Sequence, residues 1–109
     1  MNVIASNIPM RYDPLTESRV PTIDLSSAAR YGKIKVLVPD YPCDRDSALD
    51  AVRDGMASYD PEDLLIVSGE MSPILFALAF TLAADTHNVV KCLLWDKDNR
   101  CYELVEMTL

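Results

Sequence analysis

Of the 109 residues, the stretch whose types and spacing come nearest to a site is Ser68-Gly69-Glu70, followed at once by Ser72-Pro73. It joins an apolar run, Leu64 to Val67, to a helix start in which Ser72 is the N-cap and Pro73 the first helical residue. A parallel strand that ends where a helix begins is where ligands dock in open α/β sheets. The unpaired N–H groups and the dipole of the helix favour an anion there. The sequence therefore predicts a nucleotide- or phosphate-binding turn made by Ser68, Gly69, Glu70 and Ser72, with Glu70 pointing away from the anion or holding a ribose. Neither GxGxxG nor the phosphate loop with its lysine accompanies it.

Other chemistries find less. Ser68 is not in a GxSxG elbow. The one histidine, His87, follows the helix that begins at Pro73 and lies about eighteen ångströms from Ser68, at 1.5 Å per helical residue. No catalytic residue is nominated, and the reading is non-enzymatic. Asp44, Asp46 and Asp50 lack the glycine and closing glutamate of a calcium loop, and three cysteines with one histidine lack zinc spacing. Neither metal nor cofactor is expected. Asp46, Asp50 and Asp54 recur every four residues and make an acidic stripe on one helix, suited to a basic patch on a protein partner. Cys92 and Cys101 fall on one face of a C-terminal hairpin and read as reduced thiols in the core.

The elements that position these residues follow from hydrophobic period and breakers. Val3 to Ile8 predicts a short strand before Pro9, and Pro9 to Pro21 an extended loop with a turn at Asp13-Pro14. Ala28 to Tyr31 makes one helical turn ended by Gly32. Ile34 to Val38 is a strand. A helix capped by Asp44 or Asp46 runs to about Tyr59 with Leu49, Val52, Met56 and Tyr59 inward. Leu64 to Val67 is a strand buried on both faces, residues 73–85 a helix, and Val89 to Trp95 a strand. Residues 96–99 turn the chain into a last strand, Arg100 to Met107. Alternating strands and helices predict one α/β domain over 1–109. Its form is a small three-layer Rossmann-like fold with a mostly parallel sheet, a C-terminal antiparallel hairpin at the edge, and residues 1–33 as an extended segment with one short helix.

Charge narrows the partners. Residues 1–39 hold three acids and five bases, residues 40–70 nine acids and two bases, and residues 71–109 five acids and three bases, summing to −7. The acidic middle repels nucleic acid and anionic membrane. The longest apolar run, Ile74 to Ala84, is too short to span a bilayer. The first ten residues lack signal-peptide character and the cysteines are odd in number, so a cytoplasmic location is expected. Within helix 73–85, Leu75, Phe76, Leu78, Phe80 and Leu82 point in every direction. Either residues 9–25 cover the outer side with Met10, Leu15, Val20 and Ile23, or a second copy does, and a homodimer is the favoured reading.

Tyr12-Asp13-Pro14, Asp24-Leu25-Ser26 with Ala29 and Tyr31-Gly32, Ser68-Gly69 before an alanine-rich helix, Leu93-Leu94-Trp95-Asp96, Tyr102 and Val105-Glu106 together form a recognisable pattern. In these residues the chain resembles a loose group of short phage and prophage accessory proteins. The resemblance implies a virus-encoded accessory role inside a bacterial host and assigns no activity or catalytic residue. The resulting expectation is a protein that acts by binding a host or viral protein, with the nucleotide- or phosphate-binding turn as the alternative.

Overall fold

The first strand, β1 (Asn2–Ala5), is an interior one, second in the sheet. In the computed structural model, which describes residues 1–109, Val3, Ile4 and Ala5 are buried on both faces of a five-stranded sheet. β1 pairs in parallel with β4 (Lys33–Val36) on one side and β5 (Leu64–Val67) on the other. Next to β5 come β6 (Val89–Asp96), also parallel, and β7 (Cys101–Thr108), antiparallel at the edge, for an order β4-β1-β5-β6-β7. Strands predicted from 34, 64 and 89 thus share one mostly parallel sheet, with the C-terminal hairpin at its edge. Val-Ile-Ala and Leu-Leu-Ile-Val are uninterrupted apolar runs, the pattern that a strand covered on both sides requires.

The N-terminal third departs from expectation. It holds an interior strand and then a separate hairpin, β2 (Met10–Asp13) with β3 (Ser18–Pro21), where an extended loop was predicted. The predicted turn at Asp13-Pro14 does form, with Asp13 Oδ1 accepting from Leu15 N–H at 3.0 Å. The hairpin is almost entirely exposed, so no apolar alternation marked it in the sequence.

Layering also differs. Helices α1 (Arg45–Met56) and α2 (Pro73–Thr86) pack on each other and on the same sheet face, over Ile4, Leu65, Val90 and Cys92. The chain steps one way from β1 to β4 and the other way from β4 to β5 to β6. Crossovers of one hand put both rightward helices on one face and the leftward link on the other. That link carries Pro9, Pro14 and Pro21 and spends its middle on the hairpin. Only residues 22–32 remain to cross the sheet, with a single 3-10 turn, Ala29–Tyr31. Ile23, Leu25, Ala28 and Tyr31 cover Val3, Ala5, Leu64, Ile66 and Leu93. The predicted third layer is therefore coil. Ile23 lies on the sheet face away from α2 and Leu15 is exposed, so residues 9–25 do not wrap that helix.

Local chemistry sets the helix limits. Asp44 Oδ2 accepts from Ser47 N–H at 3.0 Å and caps α1, whose buried stripe is Ala48, Val52 and Met56. Leu49 and Tyr59, predicted inward, are only partly buried, because the helix stops at Met56 and is rotated so that Ala48 meets the sheet. At its C-terminus the Lys35 ammonium donates to Gly55 O at 2.6 Å and Ser58 Oγ at 3.0 Å, which satisfies a free carbonyl and opposes the negative helix end. α2 puts Leu75, Ala79 and Ala83 on the sheet. Ile74, 64% exposed, borders a hollow with Tyr41, Cys43 and Leu49 near the start of α1, while small Ala77 and Thr81 face outward. An all-round apolar helix is thus accommodated by an α1 flank and a small-residue outer side.

Asp63, buried, fastens the start of β1 to the turn before β5: its carboxylate accepts from Asn2 N–H at 2.8 Å and from Asp60 N–H at 3.0 Å. Asp63→Ala strands two backbone donors and is expected to cost about 1–3 kcal/mol in urea unfolding. Three turn and cap carboxyls sit below the usual 3.8: Asp24 through the Ser26 hydroxyl, Asp44 through Ser47 N–H, and Asp96 through the Asn99 side-chain amide. A depressed folded pKa adds stability that is complete above the unfolded value and lost as pH falls through the folded one. The melting temperature should therefore drop steeply only below about pH 4, measurable by circular dichroism across a pH series.

Candidate functional site

In the sheet, the chain reverses its stepping direction between β1 and β5, so the links leaving their C-terminal ends diverge and open a crevice. Ser6 and Asn7 leave β1 there, Ser68 leaves β5, and the turn 68–72 leads into α2. Asn7 is 2% exposed. Its Oδ1 accepts from Ser72 N–H at 3.1 Å and from Ser6 Oγ–H at 3.2 Å, which locks the amide orientation. Over this crevice stands the β2–β3 hairpin with Arg19, and beside it the loop after β4 with Tyr41 and Pro42. The open cleft measures about 280 Å³ and is bordered also by Ile8, Pro9, Met10, Glu70, Met71 and Ser72.

The residues predicted for an anion do meet at this end of the sheet, on the outer side of the turn. Ser68 and Gly69 border one hollow with Phe76 and another with Glu70, Trp95 and Lys97. Their backbone donors, however, are largely committed. Glu70 N–H goes to Ser68 Oγ, Met71 N–H to Ser68 O, Ser72 N–H to Asn7, and Leu75 N–H to Ser72 Oγ. Ser68, Gly69 and Ile74 keep free N–H groups in the turn and first helical residues. A Cβ added at Gly69 would meet nothing within 4 Å, and its backbone is not in the positive-φ region, so the close approach that makes glycine necessary in a phosphate loop is not required here.

The other candidates are dispersed. Asp46, Asp50 and Asp54 are exposed on α1. Asp46 lies 3.6 Å from Arg45 and Asp50 lies 3.2 Å from Arg53, both solvated pairs of small energetic weight. Of the proposed interface residues, Leu75 is buried in this chain's own core, which corrects its place at an outer surface. Phe76, Leu78, Phe80 and Leu82 are half-buried. Ile74 borders a hollow on the α1 side, and Phe76 and Phe80, tilted rings with centroids 6.0 Å apart, occupy the opposite flank. His87 caps the far end of α2, its Nδ1 accepting from Val89 N–H at 3.2 Å, and no cluster of three or more His, Cys, Asp or Glu could hold a metal. Asn7, Arg19 and Tyr41 were not singled out by sequence reading. Asn7 carries a local signal, a polar residue directly after an apolar run that forms a strand, but Arg19 and Tyr41 reach the cleft only through tertiary packing.

Phage proteins provide the match. A family model described as phage Pam3 gp32-like protein spans residues 2–109. The chain belongs to that family. No curated protein and no solved structure matches it. Membership makes this a phage-family protein, in line with the resemblance read from Tyr12-Asp13-Pro14 onward, and it assigns no activity. No helix of this family member is long and apolar enough to cross a membrane.

Its three thiols are free. Burial pushes Cys92 up to about 11, and burial with the charges of Asp40 and Asp44 raises Cys43. Cys92 lies opposite Val105 and Cys101 opposite Asp96, on one face but four rungs apart, too far to bridge. A disulfide-exchange reagent at neutral pH should modify half-buried Cys101 and Cys43 and leave Cys92 silent until urea is added, as counted by mass spectrometry.

Proposed function

We propose that this phage-family protein is a non-enzymatic accessory factor that works by binding another protein inside the bacterial host, with the outer edge of β7 as its docking element. The observation that supports this most is the contrast between the two sheet edges. β4, four residues long, carries Lys33 and Lys35, and short, lysine-bearing edges resist strand addition. β7 has eight residues, no lysine, no proline and no bulge, and its pairing partner lies on one side only. Beside its free edge, Leu104 is 47% exposed, Met107 43% and Leu109 63%. An extended segment of a partner would gain main-chain hydrogen bonds along this edge and apolar contact on both faces.

A second copy suits the edge. Antiparallel pairing centred on Leu104 sets that residue against itself, Glu103 against Val105 and Tyr102 against Glu106, whereas centring on Glu103 or Glu106 would face like charges. Such a two-fold contact is isologous and continues the sheet through both protomers. The Phe76–Phe80 flank of α2, turned away from α1, would add apolar surface, and the acidic Asp46, Asp50 and Asp54 face remains open to a basic host or viral partner.

Light scattering across concentration tests this. The protein should be dimeric, and Leu104→Lys, on an exposed side chain, should make it monomeric with little change in melting temperature. Affinity capture from host cells with both forms extends the test. A wild-type monomer at high concentration whose captured partners are unaffected by Leu104→Lys would rule out the β7 edge.

A further inference from the structure

The cleft at the β1–β5 reversal has a use that strand docking at β7 does not supply. We infer that it binds a small zwitterion of amino-acid size, with a carboxylate held by Asn7 and Arg19, an ammonium facing Glu70, and an apolar side group against Tyr41, Pro42 and Met10.

Asn7 is the anchor. With Oδ1 committed to Ser72 N–H and Ser6 Oγ–H, its remaining side-chain group is Nδ2, and no protein atom accepts from it. A residue only 2% exposed that keeps two unused N–H donors at the border of a cleft presents them to whatever enters. The partner of those donors must be an oxygen acceptor. Arg19, brought over the cleft by the β2–β3 hairpin, forms no salt bridge within the chain, and its guanidinium prefers a carboxylate or phosphate.

Charge and size decide between those two anions. Glu70 borders the same cleft, and Asp40 borders the adjoining hollow shared with Arg19 and Tyr41; neither acid has an ion-pair partner. One guanidinium against two carboxylates disfavours a dianionic phosphate. A single carboxylate that carries its own ammonium leaves every charge opposed. The volume of about 280 Å³ lies just under the usual range for drug-sized ligands, which suits an amino acid better than a nucleotide. The site also differs in place from the Ser68-Gly69 turn, where the Glu70, Met71, Ser72 and Leu75 N–H groups are already committed.

The test is a chemical-shift titration of the intact protein with L-phenylalanine, 3-phenylpropionate, 2-phenylethylamine and inorganic phosphate. Phenylalanine at millimolar concentration should move the Asn7 side-chain amide and the Ser72 N–H, and should bind at least about tenfold more tightly than each of the other three. Arg19→Ala, on the exposed hairpin, should weaken phenylalanine by about tenfold or more while leaving the rest of the spectrum in place. Asn7→Asp keeps an acceptor for Ser72 N–H but removes the donors, and should abolish the shifts in a protein whose spectrum remains dispersed. The inference is overturned by absence of binding at millimolar phenylalanine, by shifts confined to other regions, by phosphate or either fragment binding as tightly, or by Arg19→Ala binding unchanged.

Discussion

Everything else in this domain is arranged around the burial of a four-residue strand between two parallel neighbours. β1 contributes Val3 and Ala5 to the coil-covered face and Ile4 to the helix-covered face, and so takes part in both apolar clusters, as β5 and β6 do. Parallel pairing on both sides uses its backbone donors and acceptors, and the Asp63 carboxylate takes the N–H of Asn2 at its start. Removing main-chain groups from water is tolerable only when each is paired, and β1 meets that condition along its length. The position of the cleft is a consequence of the same strand, since the chain reverses direction on its two sides.

Elements with a strong apolar period were legible in the sequence. β5 and β6 read as buried runs, α1 and α2 as capped helices, and the terminal hairpin as an edge pair; the structure agrees because each pattern corresponds to a burial that pairing and packing then fulfil. β1 was legible as a strand and not as one paired on both sides, since Val3-Ile4-Ala5 says that both faces are covered without saying by what. The β2–β3 hairpin left no trace because its residues are exposed and β-sheet pairing between Met10–Asp13 and Ser18–Pro21 needs no core. The coil layer escaped notice for a related reason. Ile23, Leu25 and Ala28 are too irregularly spaced to declare a face, yet suffice to cover one.

At the site, local chemistry was readable and assembly was not. Ser72 as a helix cap and the strand-to-turn junction at Ser68 were apparent from residue order. The commitment of the Ser72 N–H to Asn7 is an interaction across sixty-five residues, which a one-dimensional reading cannot weigh. The same holds for Arg19 over the crevice. Phage-family membership adds the biological setting and leaves the chemistry to these particular side chains.

The place of the first strand between two later ones has a bearing on how the chain reaches this state. During synthesis β1 emerges before either of its neighbours, and its pairing residues stand about thirty and about sixty positions further along. Neither the hairpin nor the 3-10 turn can shield it in the meantime, since their own contacts with the sheet presuppose that the sheet exists. The sheet's core closes only after Leu64–Val67 leaves the ribosome, so folding waits on non-local contacts. A nascent chain of this kind carries the apolar run Val3-Ile4-Ala5 without either pairing partner until β4 and then β5 have been made.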